Sequence, residues 1–559
     1  MVTAGRLVTL GALAWFSLAA LTPGCGSSGG DDTPADAGAL DAAPDGGADA
    51  AVDAPPGACT EAATCAGAWE QRAADRFAAV LDDDAALTAF VTAVPKGGDL
   101  HNHLTGAVYA ETYLGWAQAD GDCINTSTFA AVYSNQCSAS TQPAPTSGSF
   151  FDQIVRAWSM EGFVPGAQTG HDHFFATFGK FGAVAGAHRD DELADIATRA
   201  ASENQLYIET MFNLGKNLGT LAAADWSGTL TATDLPTFYN TLKADPQFAS
   251  RLAADVAVVD AAAAGWRTVL GCDGATPPPA CAVTIKFVAQ VSRTGANDQI
   301  FGQLVSAFEM AAVTPGIVGV NLSSPEDDPA AIANYDLHMA MLDLLYRKYT
   351  ETGQSPLQIT LHAGELAPAY LPPGSTANTF HIRRAVEIGH AARIGHGVDV
   401  LMETDAAGLL DELRDLDVMV EVCLSSNDQI LEVRGAAHPL AQYLAHGVPV
   451  ALATDDQGVS RSSLAGEYKK AAREQHLDYR QLKTMARTSL HHAFLQGASL
   501  WADVATAQPI AACAPPATPI VGDVAGPACQ QLLGGSERAR TQWELERRFL
   551  AFEQAQPAP

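Results

Sequence analysis

The chain has little positive charge: 32 Lys and Arg stand against 63 Asp and Glu, a formal net charge of −31 over 559 residues. That balance argues against nucleic acid and an anionic membrane surface as partners and disfavours a polyphosphorylated substrate. Apolar runs are short as well. The longest, Leu7–Leu21, falls below the ~20 residues of a membrane span. Paired cysteines at zinc-ribbon spacing are also missing, so no structural zinc module is expected. With 47% hydrophobic and 17% charged residues, there is nonetheless enough apolar material for a substantial globular core.

Arg6, the apolar run after it and the small residues before Cys25 have the layout of an export signal, residues 1–25. Gly24-Cys25 resembles a bacterial lipobox, with Pro23 an unusual neighbour, so Cys25 is expected to be lipidated; an ordinary cleaved signal is the alternative. Residues 26–56 are almost wholly Ala, Asp, Gly, Pro and Ser, which cannot offset the entropy of ordering, and read as a tether. Membrane contact is expected only through that lipid, on an exported envelope, periplasmic or extracellular protein. Eight of the ten cysteines fall into close pairs, 59 with 65, 123 with 137, 272 with 281 and 513 with 529, in keeping with an oxidising compartment. Cys423 lies in an apolar run and reads as a buried thiol.

Residues 57–95 are Ala-rich and read as helical. From Gly97, short β-branched runs alternate with helical stretches, which implies a parallel sheet. Eight such runs, near 97–104, 205–212, 283–291, 316–324, 357–365, 392–399, 418–426 and 448–456, predict an α/β fold, a TIM barrel spanning 96–500. Helices are expected at 191–204 and 330–349. The region of about 111–170 is too long for a βα loop and reads as an insert, with others near 266–282 and 505–536. Residues 501–559 form a C-terminal extension with a disulfide loop and a helix. Nothing in the sequence selects an oligomeric state.

The His, Glu and Asp clusters fall at the C-terminal ends of these strands, where TIM-barrel sites are built. His101 and His103 are two apart on the first strand and share a face. His362 and Glu365 end the fifth, His396 ends the sixth, and Asp455-Asp456 end the eighth. Any one of these motifs alone is commonplace; their joint order is the signal. Neutral imidazoles and a carboxylate suit one Zn²⁺ with an open position, where the pKa of a bound water can fall from about 15.7 to about 7. His171-Asp172-His173, ahead of the aromatic run FFATF, reads as a solvent-facing helix start, with a place near the pocket mouth as the alternative, and is assigned no role.

The order KGGDLHNHLTGA, ITLHAGE, RIGHGVDV, VEVCLSSN and VALATDD resembles the adenosine deaminase family of metal-dependent barrels over roughly residues 95–500. Cys123 and Cys137 in the insert resemble the disulfide-bearing insert of that family's secreted, growth-factor-like branch. The resemblance implies zinc on His101, His103, His362 and Asp455, Glu365 as the proton donor to N1 of the purine, and His396 orienting and deprotonating the water. It also implies Asp456 hydrogen-bonding the ring of a small purine nucleoside. Two positions depart from the pattern: Thr105 stands where the cytosolic enzymes place an acidic residue against the ribose, and Ser324 replaces a glycine facing the purine. The implied reaction is deamination of adenosine, and of 2′-deoxyadenosine, to inosine and ammonia. Turnover of adenine, a modified nucleoside or an amide is the alternative within the same chemistry. A surface binding or signalling protein on a non-catalytic barrel is the alternative outside it.

Overall fold

The computed structural model describes residues 61–557. The signal-like segment with Cys25, the tether and the Cys59 half of the Cys59/Cys65 pair lie outside the described residues. Two helices, Ala62–Val80 and Asp84–Ala93, open the described part, the second capped by the Asp83 carboxylate on Ala86 N–H. No helix among the described residues is long and apolar enough to cross a membrane.

Eight parallel strands follow: β1 Lys96–His103, β2 Gln205–Phe212, β3 Thr284–Ser292, β4 Ile317–Ser323, β5 Gln358–Ala363, β6 Arg393–His396, β7 Met419–Val422 and β8 Val450–Leu452. They pair in chain order from β1 to β8 in one sheet. β1 and β8 meet through a bridge between Asn102 and Asp455, where His103 N–H donates to the Asp455 carbonyl at 3.1 Å and Asp455 N–H to that of His101 at 2.8 Å. The nearly closed sheet is the expected TIM barrel. Val, Ile, Leu and Phe side chains between the strands and the surrounding helices form the main apolar core.

The last three strands are shorter than predicted. Their C-terminal residues were read as extended, but the backbone turns left-handed at His396, Gly397 and Asp455, with φ of 69°, 58° and 58°. Beyond β7 the chain enters the helix Leu424–Leu431 instead of continuing as strand. The early turns aim strand-end side chains across the barrel mouth. The helices run Arg189–Ser202 and Pro329–Leu345, the latter finishing in a π-helical turn, Tyr346–Thr350.

The insert comprises the helices Ala110–Ala119 and Ser149–Trp158 and a small antiparallel sheet of Cys123–Asn125, Ala131–Val132 and Thr141–Pro143, stapled by Cys123–Cys137. It does not stop near 170: the helix Gly170–Ala187 belongs to its apolar cluster, in which Phe174 and Phe181 pack with Tyr113 and Trp158 and with Ile430 and Val459 from the barrel mouth. The insert thus roofs the C-terminal face. Cys272–Cys281 and Cys513–Cys529 close two further loops, and Cys423 is a buried free thiol. The helix Glu537–Gln554 ends the described chain.

Candidate active site

The first strand is buried along its whole length, and its register against β2 shifts between Asp99 and Asn102. This irregularity lies at His101 and re-aims its side chain, as bulges near sites do. His101 Nε2 and His103 Nε2 come within 3.1 and 3.2 Å of His362 Nε2 from the end of β5. Asp455 Oδ1 stands 3.7 Å from His101 Nε2 and 3.3 Å from His103 Nε2.

The outer nitrogen of each ring is already committed. His101 Nδ1 donates to Glu421 Oε2 at 2.6 Å, His103 Nδ1 to Gln290 Oε1 at 3.1 Å and His362 Nδ1 to Asn321 Oδ1 at 2.7 Å. With the protons outside, three Nε2 lone pairs and a carboxylate oxygen converge, an arrangement that only a cation makes favourable. Neutral imidazoles oriented by outer acceptors are what a divalent metal requires, and the donor set fits one. Burial alone would raise the Glu421 carboxyl, but the Arg393 guanidinium and the His101 bond carry it down to about 2. Arg393 is itself fully buried, reaching Glu421 and Glu209 at 2.6 Å each and lying over the Phe494 ring.

Glu365 and Asp456 face the same pocket. Burial, reinforced by the charges of Asp455 and Glu326, pushes the Glu365 carboxyl well above the usual range, so it holds its proton at neutral pH. Burial and the neighbouring Asp455 and Glu365 do the same to Asp456, whose Oδ1 has no hydrogen-bond partner. The turn carrying Glu365 is held from below: Glu326 accepts from Gly364 N–H at 3.2 Å and Glu365 N–H at 2.9 Å and is bonded in turn by His381 Nδ1. Gly364, with φ of 79°, has no space for a side chain, because a Cβ would lie 2.4 Å from Asp399 Oδ1.

His396 Nε2 lies 3.8 Å from Glu365 Oε1 and is otherwise unpartnered. A hydrogen-bond chain fixes its tautomer. Leu440 N–H donates to His438 Nδ1 at 3.1 Å, so His438 carries its proton on Nε2 and gives it to Asn427 Oδ1, also at 3.1 Å. The Asn427 amide then donates to His396 Nδ1 at 2.9 Å, which leaves the His396 proton on Nε2, pointing into the site.

His103, His362, Glu365, Asp455 and Asp456 floor a cavity of about 360 Å³, within the usual range for a small-molecule site. Its walls are Phe174, Phe175, Phe178 and Ile430, and its rim includes Thr105, Ser324 and Gln290. No Lys or Arg is among these lining residues. Ser324 keeps the left-handed backbone of a glycine position, φ 80°, with its hydroxyl 2.8 Å from that of Ser292. His171 sits one turn before the aromatic wall, 3.3 Å from Asp327, in a helix whose first turn Thr169 caps by accepting from Asp172 N–H; the run after it lines the pocket. Glu421, Gln290, Asn321, Asn427 and Glu326 were not found by sequence reasoning. For Glu421 a signal existed, a carboxylate inside the apolar strand VMVEV.

Gly106 is the tightest contact in the site: a Cβ there would lie 1.6 Å from Asp456 Oδ1. Gly106→Ala is therefore expected to displace Asp456 and lower kcat/KM by about tenfold or more, equivalent to roughly 1.4 kcal/mol or more of transition-state stabilisation. Steady-state kinetics together with an unchanged unfolding midpoint would check it.

Residues 238–500 match the family model described as adenosine deaminase. That span carries His362, Glu365, His396, Asp455 and Asp456, while His101 and His103 lie ahead of it. An adenosine deaminase of Edwardsiella ictaluri is 31% identical over 39% of this chain and 57% of its own length. An adenine deaminase of Rhizobium leguminosarum is 31% identical over 34% of this chain and 53% of its own. The chain thus spans a little over half the length of these curated relatives. The crystal structure of an adenine deaminase from Arthrobacter aurescens is 18% identical, with a TM-score of 0.45 over 72% of this chain and 95% of that one. Over its later strands, residues 238–500, this chain is similar to the adenosine deaminase family.

Proposed function

We propose that the protein is a zinc-dependent hydrolase that deaminates adenosine and 2′-deoxyadenosine to inosine or deoxyinosine and ammonia. The observation that carries the reading is a protonated carboxyl, Glu365, on the wall of the cavity whose floor holds the three-imidazole, one-carboxylate set. His101, His103, His362 and Asp455 would hold the ion, and when bound, zinc supplies an activated water at neutral pH.

The chain's own residues perform the rest. Glu365 gives its proton to the N1 of a purine lying against the aromatic wall, which makes C6 electrophilic towards water. Asp456, also protonated, donates to a second ring nitrogen and fixes the ring. His396, with its proton on Nε2, gives a hydrogen bond to the attacking oxygen. This supports the orienting half of the role implied for it and not the proton-accepting half. Water adds its oxygen at C6; one of its protons passes to the leaving amine and the other restores Glu365, so the step balances as adenosine plus water giving inosine plus ammonia.

The lining favours a nucleoside or base over a nucleotide, since three carboxyl groups and no Lys or Arg face the cavity. Thr105 and Ser324 offer the sugar hydroxyl groups and no charge, which keeps adenine as the second reading. The three disulfides among the described residues support export to an oxidising compartment, with Cys25 as the lipid anchor and Cys123–Cys137 as the mark of the secreted branch. The test is ultraviolet spectroscopy of purified protein with adenosine, deoxyadenosine, adenine and AMP, with and without a chelator. Chelator-sensitive loss of the two nucleosides, with AMP untouched, is expected. Turnover of adenine alone would move the assignment to the base, and turnover of none would overturn it in favour of a binding protein or another substrate.

A further inference from the structure

The end of the barrel opposite the active site carries a second group of metal-type side chains. The helix Tyr479–His492 ends in two consecutive histidines, His491 and His492, beside Asp417 in the turn that enters β7. One ligand atom from each of the three lies within 4.8 Å of the others, and His492 Nε2 is 3.6 Å from Asp417 Oδ1.

The state of the two imidazoles points to a ligand. The His492 side chain is only 7% exposed, yet its Nε2 has no hydrogen-bond partner. A buried polar atom left in this way calls for an occupant. His491 is held by its other nitrogen, Nδ1 lying 3.0 Å from Ser499 Oγ, which leaves Nε2 without that anchor. The Arg393 and Arg538 guanidiniums lie near His492. Those guanidiniums are turned to other acceptors, Arg393 to the His492 carbonyl and Arg538 to that of Leu495. Asp417 is 68% exposed on its side chain and sits at φ 57°, at the edge of a cavity of about 410 Å³ that all three residues line. The helix C-terminus adds the negative end of its dipole.

We propose that Asp417, His491 and His492 form a second metal site, separate from the catalytic one, that takes a first-row transition dication such as Zn²⁺. Two imidazoles and one carboxylate with an open position for water suit that class over Mg²⁺ or Ca²⁺, which require oxygen donors. The ion would tie the last barrel helix to the entrance of β7. This holds whichever substrate the pocket accepts.

The experiment counts zinc in the full-length folded protein by metal analysis after dialysis and follows zinc titration by calorimetry. Wild type is expected to hold two ions per chain. Asp417→Gly, which suits the left-handed backbone, and Asp417→Gly with His491→Gln are each expected to hold one and to keep wild-type turnover. Asp455→Ala, broken at the catalytic site, is expected to retain one binding step, which adding Asp417→Gly abolishes. One ion in the wild type, two in Asp417→Gly, or no binding step in Asp455→Ala would each overturn the proposal.

Discussion

Replacing Glu365 by Gln is expected to lower kcat for the proposed deamination by about 10² to 10⁴-fold, the usual contribution of a general acid, and to leave metal content and KM near their wild-type values. The variant keeps the shape of the side chain and, through the Gly364 and Glu365 N–H bonds to Glu326, the turn that presents it. What it removes is the proton that burial and the neighbouring carboxylates hold on the group. Steady-state kinetics beside metal analysis reads both quantities. Unchanged kcat would mean that N1 receives its proton elsewhere, and lost metal would mean that Glu365 is structural.

Arg393→Met has the largest expected effect on stability. The guanidinium lies between Glu209 and Glu421 with no exposure, so its loss strands two buried carboxylates, at a cost of about 3–5 kcal/mol. The pH dependence identifies the cause. In the wild type the Glu421 carboxyl sits at about 2, below its ordinary value. It therefore contributes stability above that ordinary value, and the contribution is lost as pH falls towards 2. Without Arg393, burial dominates and the carboxyl moves upward, so acid neutralises it and relieves the variant. The denaturation gap between wild type and variant should be widest near neutral pH and narrow as the solution is acidified. A gap independent of pH would point to lost packing on Phe494 instead.

Much of this architecture was legible because its signals are local. Runs such as QLYIETMF and LQITLHAGE mark strands by composition, and His or Asp at their ends marks the face on which the site lies. The groups that orient the ligands left weaker traces. Gln290 meets His103 from β3, two strands away, and Asn321 meets His362 from the adjoining β4, pairings that the composition of single strands does not mark. Glu209, Arg393 and Glu421 were visible as charges inside apolar strands, but their mutual pairing across β2, β6 and β7 was not. The strand ends were overextended because left-handed turns at His396 and Asp455 are set by what those residues must face, and propensity is silent on that. Phe174, Phe175 and Phe178 come from an insert whose docking over the mouth has no local sequence signal.

The seam between β1 and β8 gives the metal site a place in the order of folding. Asp455 is bonded by backbone to His101 and His103 from the far end of the barrel's sequence, and the same three residues would supply ligands. Contacts so distant along the chain form only after a large loop is closed, and such closure is slow. A chain still emerging during synthesis has no such site to offer until residue 455 is free, so an ion held there would be captured by a nearly finished barrel. It would then fasten the first strand to the last, and chelation is expected to speed the opening of that junction.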